Sequence, residues 1–231
     1  MDYIRLSPRL QMVADFVPPC ACAADIGTDH GYLPVWLLQN GVIQSAIAAD
    51  IHAGPLANAR QSAAAYDLEE HFRFVQADGL QFSGVQAADA ITIAGMGGET
   101  ICAILAAAPW LREGKQLVLQ PQSKVPELTD WLWRNGFTIE DAALCRDAGK
   151  RYLALRVLGQ PAVQTYTVEQ LLLRRRDPLL TEHLKEEIRR QTRARAGMAH
   201  AKQPPAAELA ALDARLSQLQ ACLKEVQTWQ L

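Results

Sequence analysis

The sequence predicts an α/β fold: a doubly wound, Rossmann-like sheet with an antiparallel last strand, followed by an α-helical coiled-coil hairpin. Three observations carry this. Short apolar runs recur at near-regular intervals between residues 20 and 157, separated at first by helical patterns. That is the pattern of a mainly parallel sheet with helices on both faces. The last two runs are separated only by Arg146-Asp147-Ala148-Gly149-Lys150; this is too short for a crossover, so the two strands pair antiparallel. Near the C-terminus, Leu209, Leu212, Leu216, Leu219, Leu223 and Val226 follow one another at steps of 3, 4, 3, 4 and 3, the heptad seam of packed helices.

Each element has a local reason. Ser7 is placed to cap a first helix and Pro8 suits its first position. Leu10, Val13, Ala14 and Val17 then repeat at helical spacing until Pro18-Pro19. Strands are expected over 20–26, 45–50, 72–76, 88–94, 115–120, 137–144 and 151–157, and helices over 31–40, 53–66, 98–108 and 125–135. Beyond Gly159-Gln160-Pro161 the pattern turns helical. Thr167 and Gln170 form a capping box, Asp177-Pro178 interrupts the helix, and Leu180, Leu184 and Ile188 continue it. Pro204-Pro205 marks the turn into the heptad helix. The expected division is therefore a sheet domain over residues 1–160 and a helical hairpin over 161–231.

The chain has 231 residues, 49% of them hydrophobic and 21% charged, enough for a sizeable core. No run of 18 apolar residues exists, so no membrane span is expected. The N-terminus lacks the basic-then-apolar layout of a signal peptide. Five scattered cysteines, an odd count, suit a reducing cytoplasm better than a disulfide framework. Cys20 and Cys22 have no second Cys/His pair at useful spacing, so no metal is expected. The net charge of −2 hides an asymmetry. Residues 1–160 carry 12 basic and 17 acidic side chains; residues 161–231 carry 11 and 8. A basic appendage on an acidic domain suits an anionic partner such as nucleic acid, or is simply a solvated helix face.

The chemistry concentrates at the strand ends. The first strand runs into Ala24-Asp25-Ile26-Gly27-Thr28-Asp29-His30-Gly31-Tyr32-Leu33. A dinucleotide site would show G-x-G-x-x-G; here Gly27 and Gly31 stand without a middle glycine. Asp29 near the helix start also opposes a diphosphate. A cofactor without phosphates and with positive charge fits better, which points to S-adenosylmethionine. Asp25 closes the first strand, Asp50 the second, followed by Ile51, and Asp78-Gly79 follows the third. A carboxylate at the second strand end can hold two ribose hydroxyls in such folds, and the position after the third is where class I methyltransferases usually contact the adenine amine; the alternative is that the three acids cap turns and helices. The fourth strand ends in Ala94-Gly95-Met96-Gly97-Gly98, whose glycines leave room for a ligand beside the backbone. The Asn/Asp-Pro-Pro-Tyr string of adenine-N6 and glutamine methylases is absent there.

In order, Leu6-Ser7-x-Arg9-Leu10, Ala24 to Pro34, Gly54-Pro55, Asp78-Gly79-Leu80, Ile93 to Gly98 and Leu119-Gln120-Pro121 resemble the bacterial tRNA (adenine(22)-N1)-methyltransferases. The resemblance covers roughly residues 4–157. It implies a class I methyltransferase fold with a C-terminal coiled-coil hairpin, S-adenosyl-L-methionine as donor, and N1 of adenine 22 in the tRNA D-arm as acceptor. Gln122 departs from it, since an Asn commonly follows Gln-Pro in that family. The expected cofactor residues are Arg9, Asp25, Gly27, Thr28, His30, Gly31, Tyr32, Asp50, Ile51, Asp78, Gly79, Ala94, Gly95, Met96 and Gly97. Arg9 reaches the cofactor carboxylate or forms a surface ion pair. Asp29 is the expected catalytic residue, accepting from the exocyclic amine of the target; its alternative is a cap or an Asx-turn. The tRNA contacts fall to Arg174, Arg175, Arg176, Arg189, Arg190, Arg193 and Arg195, which suit phosphates; the other use of the hairpin is assembly through its leucine seam. Two further functions compete: a methyltransferase for a small molecule or protein, and a non-catalytic RNA-binding protein that keeps the fold.

Overall fold

The computed structural model describes residues 3–200 and 206–230, and the expected turn at Pro204-Pro205 lies outside them. The chain divides into two compact units, residues 1–165 and 166–231.

The first unit is built on a seven-stranded sheet of order β3-β2-β1-β4-β5-β7-β6. Its strands are β1 (Cys20–Ile26), β2 (Ile43–Asp50), β3 (Phe72–Gln76), β4 (Ala90–Gly97), β5 (Gln116–Ser123), β6 (Thr138–Asp147) and β7 (Lys150–Leu158). The first five are parallel and β7 runs antiparallel to both of its neighbours. The two-residue turn Ala148-Gly149 has φ of 46° and 77°, the positive-φ geometry that matches strand twist in a tight hairpin. The helices are α1 (Pro8–Ala14), α2 (Tyr32–Gln39), α3 (Ala53–Ala65), α4 (Gly98–Ala106) and α5 (Val125–Arg134). Ser7 caps α1, accepting from Leu10 N.

The central strands carry the core. Ala24, Ile26, Ala48, Ala49, Ile91, Ile93, Leu117 and Leu119 are nearly or fully buried, as strands covered on both faces require. Polar residues within such strands stand out, and Thr92 and Gln120 are both buried.

The second unit holds α6 (Val168–Arg175), α7 (Leu180–Ala199) and α8 (Ala206–Gln227). Thr167 and Gln170 make both bonds of the capping box. Along α8, Leu219 and Val226 are buried and Leu209, Leu212, Leu216 and Leu223 half-buried, so the heptad seam is the packed face against α7 and α6. Arg195 of α7 pairs with Asp213 of α8. Nearer α6 the packing turns polar: Arg215 Nη2 donates to Glu169 Oε1 at 2.6 Å, and His183 Nε2 stands 3.6 Å from the same oxygen. Burial pushes the Glu169 carboxyl up. The His183 ring facing it, together with the charge and hydrogen bond of Arg215, outweighs that and holds it at about 2. Among the described residues no helix is long and apolar enough to cross a membrane.

Candidate active site

In a doubly wound sheet, ligands bind at the carboxyl ends of the strands where the strand order reverses. Here that point lies between β1 and β4, which are paired neighbours with β2 and β5 on either side. The turn between β1 and α2 sits over it.

Asp25 is the root of the turn. In the parallel register it stands beside Thr92 of β4, and the Thr92 hydroxyl donates to Asp25 Oδ1 at 2.7 Å. Burial pushes the Asp25 carboxyl above its ordinary range; hydrogen bonding by Thr92 and Thr28 pulls it back, and the charge of Asp50 pushes it up again. Gly27 follows with φ of 78°, and an added Cβ would collide with the Met96 side chain. The glycine thus serves the backbone turn and lets a β4 side chain lie across the end of β1.

Asp50 ends β2, and its Oδ1 accepts from His52 N at 2.8 Å. Ile51 is exposed. Asp78 is exposed just beyond β3, with Gly79 behind it. The register of β4 with β5 breaks between Ala94 and Met96 and again between Met96 and Gly97, so the backbone of Ala94, Gly95, Met96 and Gly97 leaves the regular ladder at the site. Gly98 is different: an added Cβ would press on the backbone oxygens of Ser123 and Lys124. Its lack of a side chain serves the packing of α4 on the end of β5 rather than a ligand.

Arg9 reaches this end of the sheet from α1. Its Nη1 donates to Gln120 Oε1 at 2.9 Å, and the same oxygen accepts from Gly95 N at 3.2 Å. The Gln120 amide is completed by a 3.1 Å bond to Pro121 O. The guanidinium also stands 5.8 Å from the Tyr152 ring centre. A surface ion pair is therefore not what holds Arg9. Gln122 stands over Gly95 as well.

Asp29, His30 and Tyr32 form the outer lip. The N-cap of α2 is Gly31, at φ of 67°, and no side chain caps this helix. Asp29 faces His30 instead, 3.5 Å from Nε2, and the His30 ring stacks on Tyr32.

The structure thus brings the residues expected at the strand ends to one edge, adds Thr92, which sequence reasoning passed over, and gives a place at the site to Gln120, which the sequence showed only within the Leu119-Gln120-Pro121 string. Their signal was available: each is a polar side chain inside an apolar strand, which burial makes costly unless it is bonded. The donor set fits a nucleoside with a cationic tail. The carboxylates of Asp50 and Asp78 suit hydroxyl and amine donors, and Asp25 suits a positive charge.

Residues 6–155 match the family described as Methyltransferase domain. The chain belongs to that family. A tRNA (adenine(22)-N(1))-methyltransferase of Bacillus subtilis (strain 168) is 39% identical over 156 residues, 67% of this chain and 66% of that relative. The matched part of this methyltransferase thus spans just under two thirds of the relative's length. Among solved structures, the B. subtilis M1A22 tRNA methyltransferase TrmK is similar at a TM-score of 0.77 and 27% identity, covering 95% of this chain and 99% of that one. Streptococcus pneumoniae Sp1610, in complex with S-adenosyl-L-methionine, reaches 0.78 at 30% identity, covering 95% and 100%.

On the second unit, the arginines expected to contact tRNA differ in what they touch. Arg174 lies over the Tyr166 ring and Arg176 over Trp229. Arg190 pairs with Glu187, and Arg195 with Asp213. Arg189 Nε donates to Lys185 O. Lys185, Arg189 and Arg193 are exposed at four-residue steps, which sets them in one stripe along α7.

Proposed function

We propose that the chain methylates N1 of adenine 22 in the D-arm of tRNA, using S-adenosyl-L-methionine. One observation supports this most: carboxylates stand at the carboxyl ends of three successive strands, Asp25 next to last in β1, Asp50 last in β2 and Asp78 two residues beyond β3, and a fourth, Asp29, makes no capping bond to α2 on the lip beyond them. The two B. subtilis relatives named above are described by that activity, and the Streptococcus pneumoniae structure is described as a complex with S-adenosyl-L-methionine.

When bound, S-adenosyl-L-methionine supplies an electrophilic methyl group on a cationic sulfur. Asp50 and Asp78 hold its nucleoside, and Asp25 favours its positive end. Arg9, oriented by Gln120, takes its carboxylate. Gly27, Thr28, Gly31, Ile51, Gly79 and residues 94–97 shape the walls. Adenine N1 carries a lone pair, so the chain needs no base before attack. Its tasks are to align the nucleophile with the methyl group and to stabilise the charge that moves onto the base. Asp29 accepts a hydrogen bond from the exocyclic amine and favours the cationic product. N1 lies on the pairing edge, so the target adenosine must leave its stack. The basic stripe of α7 and its neighbouring arginines hold tRNA phosphates, which position the substrate without reading sequence.

The test is methyl transfer from labelled S-adenosyl-L-methionine to unmodified tRNA. Label is expected in tRNA bearing adenosine 22 and not in the same tRNA with guanosine there. Equal labelling of both would refute the site assignment.

A further inference from the structure

The expected roles of His30 are to shape the cofactor pocket, to contact the acceptor or to stabilise the turn, and those of Tyr32 to pack against the cofactor or the core; both rings stand on the solvent side of the turn. Their rings stack at 5.1 Å between centroids and 16° between planes. Both are open to solvent: the His30 side chain is 46% exposed and Tyr32 41%. The neighbouring Asp29 carboxylate is 76% exposed and faces the His30 Nε2. The inner half of the same turn is the opposite, with Ile26 and Thr28 buried and Asp25 bonded to Thr92. One ten-residue segment therefore presents a closed face toward the sheet and an open aromatic step outward. Tyr32 is one of few large apolar side chains exposed among the described residues.

We infer that the stacked His30–Tyr32 pair is the platform on which the acceptor nucleobase stacks, with Asp29 at its edge meeting the base's amine. This rests on the reading of the chain as a tRNA adenine methyltransferase. Two parallel rings offer a rigid, flat, partly apolar surface, and stacking on such a surface is tolerant of base identity. Discrimination then falls to the carboxylate beside it, which accepts from an adenine amine and repels a carbonyl edge. The His30 ring has a second duty. With the ring stacked on Tyr32, its Nε2 stands 3.5 Å from the Asp29 carboxylate, which sets the carboxylate beside the platform. The step itself needs no proton from either ring: the N1 lone pair forms the new N–CH3 bond as the S–CH3 bond breaks, and the electron pair stays on sulfur.

The test compares wild type, Tyr32→Leu and Tyr32→Phe in two assays on the full chain. Equilibrium affinity for S-adenosyl-L-methionine without RNA reads the cofactor pocket; steady-state methylation of unmodified tRNA at saturating donor reads the acceptor site. Tyr32→Leu is expected to keep donor affinity within about 2-fold and to lose about 10-fold or more in kcat/KM for tRNA, in line with the loss of one base stack. Tyr32→Phe, which keeps the ring, recovers most of that loss. A drop in donor affinity matching the drop in activity would overturn the inference and return Tyr32 to the cofactor pocket. So would unchanged kcat/KM for tRNA in Tyr32→Leu. A wild-type chain that binds the donor but does not methylate tRNA would overturn the substrate reading first, and this inference with it.

Discussion

Asp25, Asp29 and Arg9 show how much of a site single residues can reveal. Asp25 and Arg9 were expected at the cofactor from their places in the chain. Their second partners, Thr92 and Gln120, come from strands 67 and 111 residues away, and no local pattern announces which strand will be the neighbour. Asp29 has an exposed carboxylate and no capping bond to α2, so its substitution touches little of the fold. Asp29→Ala should keep donor affinity and unfolding temperature and lower turnover on tRNA by about 100-fold or more, the usual scale for losing one charge-stabilising group. Single-turnover methylation beside a binding titration checks this, and unchanged turnover would remove Asp29 from the chemistry. Asp25 makes a prediction about pH. Burial lifts its carboxyl above the ordinary range, and a cationic ligand favours the ionised form. Donor affinity should therefore fall on acidification while the solution is still above the usual carboxylate range. Asp25→Asn should flatten that dependence at a lower affinity.

Among the elements, periodicity and turn chemistry fixed most boundaries to within a few residues. The hairpin of β6 and β7, the Ser7 cap and the Thr167 box all follow from residues adjacent in sequence. Strand order and the polar cluster between α6, α7 and α8 do not, because they depend on contacts across long loops. Glu169, His183 and Arg215, one on each of α6, α7 and α8, look like ordinary surface residues in the sequence, yet Glu169 is only 4% exposed. Arg215→Ala would leave that charge buried without its bonded partner. A loss on the order of 3 kcal/mol in the stability of the helical unit is expected, measurable by urea unfolding followed by circular dichroism. Acid should act through the same residue. A carboxyl lowered from 4.5 to about 2 contributes its full stabilisation above its ordinary value, and loses it as pH falls toward 2. Wild type should show an acid-sensitive transition in that window, and Glu169→Gln should weaken it.

At the scale of the whole molecule, the charge asymmetry was legible from composition alone: the acidic sheet unit bears the carboxylates of the site, and the basic helical unit bears the arginine-rich stretch. Composition did not tell which cations face outward. Arg195 and Arg190 are engaged with acidic partners, whereas Lys185, Arg189 and Arg193 form an exposed stripe. tRNA affinity should fall steeply with salt, by about 0.7 to 0.9 log unit per log of salt for each phosphate contacted. Replacing Lys185, Arg189 and Arg193 with alanine should reduce that slope by about 2 to 3 and leave donor affinity unchanged. An unaltered slope would move the tRNA surface elsewhere. The central claim is where the methyl group goes. Unmodified tRNA incubated with the chain and S-adenosyl-L-methionine, then copied by primer extension, should arrest reverse transcriptase at adenine 22, because N1-methylation blocks the pairing edge. The arrest should vanish when either the donor or the chain is omitted. Read-through, or an arrest at another position, would contradict the account.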